Sequence, residues 1–352
     1  DKHAHPYYGR YGTATTRMLE EACSALDGGD GAVLFPSGLA ASTNVLDALA
    51  TPGAHILVVD SVYGPVRDYC ETALAARGVA VTWYAPCIGA QIESMIRAET
   101  RVIYCESPGS LTFEVQDLPA ICQAATRHDV AVVVDNTWAT PYFCRPLALG
   151  ASVSIQAATK YLVGHSDAML GVAVATERYL KTLRTAAARH GNSVSADDCA
   201  LGLRGIRTLG VRLRQHFSSA TRIARWMQQR PETRRVLYPA LPEDPGHSIW
   251  QRDFAGACGL FGVELQAVPD AAVDAFVDNL ELFGIGVSWG GFESLVLPSH
   301  PKRTLRNDEA QGPLLRIHIG LEDPDDLIED LAGGLDRYIA PSLPTHLQTD
   351  AA

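Results

Sequence analysis

Long hydrophobic runs are what this 352-residue chain most plainly lacks. No apolar stretch approaches the ~18 residues that a membrane-spanning helix needs, and no secretory signal is visible. No membrane partner is expected, and a cytoplasmic location is. Positive charge is also short: 29 Lys and Arg stand against 40 Asp and Glu, for a net charge of −11. That balance argues against a nucleic acid or an anionic membrane surface as the main partner. Eight cysteines (Cys23, Cys70, Cys87, Cys105, Cys122, Cys144, Cys199 and Cys258) are scattered, with no C-x-x-C and no paired Cys/His ligand spacing. We therefore expect no metal site, only buried thiols in a reducing cytosol. Internal repeats and low-complexity tracts are missing too. Apolar residues, by contrast, make up 47% of the chain, enough over this length for a large core and two domains.

The apolar residues fall into short runs separated by amphipathic stretches. Residues 32–35, 55–60, 79–84, 101–106 and 130–135 read as buried strands, and 17–28, 38–51, 66–77 and 118–128 as helices. Strands alternating with helices at this rhythm predict an α/β fold with a mainly parallel, doubly wound sheet. Residues 177–190 predict a basic surface helix. Residues 197–230 predict a long amphipathic helix, interrupted near Gly205–Gly210. From residue 231 the composition changes to a smaller α+β unit, with strands near 259–265 and 314–320, helices near 269–283 and 324–338, and a long turn at 298–313. Three units follow: an arm over 1–16, a large domain over 17–230 and a small C-terminal domain over 231–352.

Val130-Ala131-Val132-Val133-Val134 ends in Asp135, and Ser154-Ile155-Gln156-Ala157-Ala158-Thr159 ends in Lys160. The carboxyl ends of strands are where open α/β sheets bind ligands. An acid and an amine at one such edge suit pyridoxal phosphate, which needs a lysine for a Schiff base and a carboxylate to hold the pyridinium nitrogen protonated. Asp135 could equally cap a helix. The Ser37-Gly38 turn opens a helix and offers backbone N–H groups to an anion, or is an ordinary N-cap. Loops after Asp60, Glu106 and Asp135 are expected to converge on one edge.

These strings resemble the Cys/Met-metabolism family of pyridoxal-phosphate enzymes, of the aspartate-aminotransferase-like fold type I. The resemblance runs from Tyr8 to about Tyr338. It rests on Tyr8-Gly9-Arg10, Ser37-Gly38-Leu39-Ala40-Ala41, Asp60-Ser61-Val62-Tyr63-Gly64, Glu106-Ser107-Pro108, Asp135-Asn136-Thr137, Thr159 to Asp167, and Ser288 to Leu295. Gly109-Ser110-Leu111, Ala157, Trp289 and Val287 stand where γ-acting members usually carry other residues, so the chain is most similar to the bacterial cystathionine β-lyases. The alternative is a γ-acting member: a cystathionine γ-synthase, a γ-lyase or a sulfhydrylase.

The resemblance implies roles. Lys160 would hold pyridoxal 5'-phosphate and then act as base at Cα. Asp135 would pair with the ring nitrogen. Tyr63 would stack on the ring and assist proton transfer. Gly38, Leu39 and Thr159 would hold the phosphate. Tyr8 and Arg10 would reach that phosphate from a neighbouring subunit, with Tyr8 also near substrate. Arg316, Ser288 and Trp289 would bind the amino-acid substrate, Arg316 through its α-carboxylate. The active site would then lie at a dimer interface, in a homo-oligomer expected to be a tetramer. His165 reads as a structural histidine. The reaction implied is β-elimination, releasing a thiol, pyruvate and ammonia.

Overall fold

A computed structural model of the chain describes residues 8–305 and 312–343. The start of the expected arm, residues 1–7, lies outside the described residues. Gly9–Tyr11 form a 3-10 turn, and the first helix begins at Ala14, three residues earlier than the apolar spacing predicts. Thr13 caps that helix through a reciprocal pair of bonds with Thr16, the capping-box arrangement.

Seven strands form the large sheet: β1 (Gly31–Phe35), β2 (His55–Val59), β3 (Ala80–Tyr84), β4 (Thr100–Glu106), β5 (Ala131–Asp135), β6 (Val153–Gln156) and β7 (Gly171–Ala175). Their order is β1-β7-β6-β5-β4-β2-β3. β7 runs antiparallel to both its neighbours, and the remaining pairings are parallel. β1, β2, β4, β5 and β6 therefore point their carboxyl ends at one edge. Val132, Val133 and Val134 are all buried, as expected of a strand covered on both faces. β7 escapes the sequence reading. Its Gly and Ala residues weaken the strand signal, and Gly171 packs on the backbone of Ser37 and Gly38, where a Cβ has no room.

Five further strands form a second sheet: β8 (Thr233–Leu237), β9 (Leu260–Leu265), β10 (Gly284–Ile285), β11 (Leu295–Ser299) and β12 (Leu314–His318), in the order β10-β11-β12-β9-β8. The helix expected over 269–283 stops at Asp278, and β11 takes up the start of the expected turn at 298–313. One apolar core lies wholly among residues 33–187. A second runs from Leu34, Tyr161 and Val172 through Leu213 to Phe261 and Ile317, and so joins the two sheets.

The expected break near Gly205–Gly210 is absent. One helix spans Ala196–Gln228, 33 residues, about 50 Å long. Ser195 caps it by accepting from the Asp198 amide at 3.0 Å, and Asp197 and Asp198 complement the dipole in its first turn. Gly205 is a contact residue here, not a breaker. A Cβ there would land on the carbonyl oxygens of Leu162 and Val163, so the helix trades about 1 kcal/mol of propensity for close approach to the loop that follows Lys160.

Candidate active site

The loops after β2, β4, β5 and β6 do meet. Ser110 N–H donates to Ser61 O at 2.7 Å, and Tyr63 N–H donates to Glu106 Oε2 at 2.6 Å. Ala157 N–H donates to Thr137 Oγ1 at 2.9 Å, and that hydroxyl donates to Asp135 Oδ1 at 2.5 Å. Asp135 Oδ1 also accepts from Thr137 N–H at 2.9 Å. The carboxylate thus closes a two-residue turn and caps no helix, since the next helix begins only at Thr140. No described residue donates to Oδ2. Burial pushes the Asp135 carboxyl up from its ordinary value, and the Thr137 bonds oppose that. Its strand neighbour Glu106 is held well above the carboxylate range, by burial first and then by Asp135. Of the two acids, Glu106 is the one pushed further up.

Lys160 sits in the turn after β6. Its Nζ donates to Ser288 Oγ at 2.8 Å and lies 5.1 Å from the Trp289 ring centre. Burial, then the charge of Arg316, lowers its amine to about 8. Gly290, at φ +85°, lies directly on this lysine, and a Cβ there would stand 2.9 Å from Lys160 Cβ. Arg316, on β12, donates through Nη2 to Gly286 O at 2.8 Å and Ser288 O at 3.0 Å. No carboxylate among the described residues pairs with it, although it is 9% exposed. A buried cation without a counter-ion is costly and is matched by a ligand that brings a carboxylate. Tyr63 is half-exposed. Burial first, then Glu106 and Asp135, raises its hydroxyl pKa, and Arg316 pulls it back, which puts all four groups in one electrostatic neighbourhood.

The helix Gly38–Leu49 opens at the same edge. Ser37 Oγ accepts from Ala40 N–H at 3.0 Å, so the serine is an N-cap. The Gly38 and Leu39 amides meet no acceptor among the described residues and remain available to an anion. Thr159 hydroxyl both donates to Leu170 O and accepts from Leu170 N–H, and its proton would have to turn to reach a phosphate. His165 Nδ1 pairs with Val163 O at 2.8 Å, within its own loop. Tyr8 is exposed, and Arg10 donates to Ala188 O at 2.9 Å and Tyr11 Oη at 3.1 Å. An amine, a carboxylate oxygen without a donor and amides without an acceptor fit the aldehyde, ring nitrogen and phosphate of pyridoxal phosphate.

Sequence reasoning gave no role to three residues that organise this site, although Glu106 and Thr137 lie in the strings that carry the resemblance. Thr137 joins Asp135 to the lysine loop. Glu106 holds Tyr63. His318, buried, takes the Gly290 amide on Nε2 at 3.1 Å. His318 lies two residues beyond Arg316 on one strand, so strand periodicity was the signal available for it.

Comparison with known proteins agrees. The family described as Cys/Met metabolism PLP-dependent enzyme matches residues 1–336. Cystathionine beta-lyase of Salmonella typhimurium is 44% identical over 341 residues, 95% of this chain and 86% of that protein. Cystathionine beta-lyase MetC of Escherichia coli is 45% identical over 342 residues, again 95% and 86%. Cystathionine beta-lyase of Bordetella avium is 47% identical over 334 residues, 94% and 84%. The chain therefore belongs to the Cys/Met metabolism family of PLP-dependent enzymes.

Proposed function

We propose that the protein is a carbon–sulfur β-lyase that cleaves L-cystathionine, or a related S-substituted cysteine, to a thiol such as homocysteine, pyruvate and ammonia. The observation that carries the reading is the pairing of the Lys160 amine with Ser288, beside an Arg316 that no carboxylate among the described residues pairs with. The names of the relatives support the same choice. Pyridoxal 5'-phosphate, when bound, supplies the electron sink that lets a Cα–H bond break. Everything else falls to the chain. Arg316 holds the substrate α-carboxylate, with Ser288 and Trp289 lining its pocket. Lys160 Nζ, in the neutral form that an amine pKa lowered to about 8 makes accessible, takes the proton from Cα. The electron pair then expels the thiolate from Cβ, and water completes the conversion of the three-carbon remainder to pyruvate and ammonia. Asp135 would hold the ring nitrogen protonated, Tyr63 would lie against the ring, and Gly38, Leu39 and Thr159 would hold the phosphate.

We further propose that 17–230 and 231–352 are separate domains, and that Tyr8 and Arg10 complete the phosphate site of a neighbouring subunit in a homodimer or tetramer. A reducing cytoplasm suits eight cysteines none of which forms a disulfide among the described residues. The test is borohydride reduction followed by peptide mass analysis. The cofactor should be found on the peptide carrying Lys160 and be absent from Lys160→Ala; a reduced adduct on any other lysine contradicts the assignment.

A further inference from the structure

The segment 286–291 carries Ser288 and Trp289 over the lysine, yet no helix or continuous strand holds it down: β10 ends at Ile285 and β11 starts at Leu295. Two side chains of β12 hold it instead. Arg316 takes its first half, through the carbonyls of Gly286 and Ser288. His318, on the same face two residues on, takes its second half through the Gly290 amide. We propose that His318 is a positioning residue, the fixed anchor that keeps the Ser288–Gly291 loop seated on Lys160 while Arg316 turns to a substrate carboxylate. This rests on the proposed function in taking Lys160 as the reacting amine and Arg316 as the carboxylate site.

The two clips differ in what can compete for them. A substrate carboxylate attracts the guanidinium more strongly than a neutral carbonyl does, so binding loosens the Arg316 clip. His318 is 1% exposed, and no ligand in the pocket can reach it. Its neighbours fix the ring. Nδ1 stands 3.5 Å from Tyr161 Oη, and that oxygen accepts from Gly259 N–H at 3.0 Å. The rings of Tyr161 and His216 lie 5.9 and 5.4 Å from it. Nε2 also lies 3.3 Å from Gly291 O. The shorter contact, at 3.1 Å from an amide that can only donate, makes Nε2 the acceptor in this proposal and puts the ring proton on Nδ1, facing Tyr161. Burial, then His216, holds the imidazole well below its usual pKa, so the ring stays neutral. Tyr161 in turn follows Lys160 in sequence and packs on Trp289 at 5.6 Å. One ring thereby ties β12, the loop and the lysine turn together.

The experiment compares wild-type holoenzyme with His318→Gln and His318→Asn. A glutamine oxygen reaches the position of Nε2 and preserves the acceptor; an asparagine is one bond too short. Amide hydrogen exchange should show Gly290 protected in the wild type and in His318→Gln, and exchanging at least about tenfold faster in His318→Asn. In His318→Asn, kcat should fall about tenfold to a hundredfold, the order a misplacement of about 1 Å costs, with KM within about twofold. The pH at which the lysine–cofactor absorption titrates should shift in the same variant only. A Gly290 amide that exchanges freely in the wild type overturns the proposal, whether or not the variants fold. So does an Asn variant that matches the Gln variant in exchange, kcat and absorption. If the wild type shows no lysine–cofactor absorption at all, the proposed function fails, and the exchange result still decides whether His318 anchors the loop.

Discussion

Burial, and then the guanidinium of Arg316, draws the Lys160 amine from 10.5 to about 8. The neutral, nucleophilic form therefore appears more than two pH units earlier than on a surface lysine. In protein freed of its cofactor, modification of Lys160 by an amine-specific reagent should rise through pH 8 and level off by about pH 9, well before the value near 10.4 of a lysine in a model peptide. Site-resolved mass spectrometry of the labelled peptides reads this directly, and a Lys160 that titrates with the bulk contradicts it. Asp135 makes a second test at this scale. Its Oδ1 is engaged by Thr137 and its other oxygen faces no described donor. Asp135→Asn keeps the shape and removes the charge that would hold a ring nitrogen protonated. The fold, followed by circular dichroism, should be unchanged, and kcat should fall by about a hundredfold or more. Near-normal turnover would leave Asp135 only its turn-closing role. Lys160 and Asp135 were legible as candidates because each ends a strand-like run with its own chemistry, and Tyr63 and Arg316 through the resemblance of the strings that hold them. The roles of Thr137 and His318 were not, because each holds a group far along the chain: Thr137 takes the Ala157 amide across 20 residues and His318 the Gly290 amide across 28.

Among the elements, the helix Ala196–Gln228 shows where local rules and packing part. Gly202, Gly205 and Gly210 lower its propensity, and on propensity alone a break is the natural reading. Gly205 faces the carbonyls of Leu162 and Val163, and tertiary contact overrides the local cost. Gly205→Ala is therefore expected to destabilise the protein by about 2 kcal/mol, against the gain of about 1 kcal/mol that alanine gives an exposed helix. Denaturant unfolding measures this; a stabilised variant would mean that the approach is not close. The large parallel strands were readable because β-branched runs buried on both faces leave a continuous apolar signature. β7, made of Gly, Ala and Val, left none.

For the whole molecule, the open question in the site is what neutralises the phosphate. The Gly38 and Leu39 amides supply partial charge only, and within one chain Arg10 bonds to Ala188 and Tyr11. If Arg10 serves a neighbouring subunit, mixing Arg10→Ala with Lys160→Ala under subunit exchange should build hybrid dimers with one site carrying both lesions and one carrying neither. Activity should then rise above either parent; exchange confirmed by mass with no return of activity would place Arg10 in its own chain's site. The large, mainly parallel sheet followed from the rhythm of strands and helices, whereas only two of the five strands of the second sheet were read, and its packing on the lysine loop depends on contacts such as Gly290 on Lys160 that no local pattern announces. The account's central claim is that this site breaks the bond between sulfur and Cβ. The most direct measurement is the 2-keto acid released from L-cystathionine by the purified enzyme. Pyruvate, formed in equal amount with homocysteine, is the predicted product; 2-oxobutyrate formed with cysteine, or no keto acid at all, would contradict it.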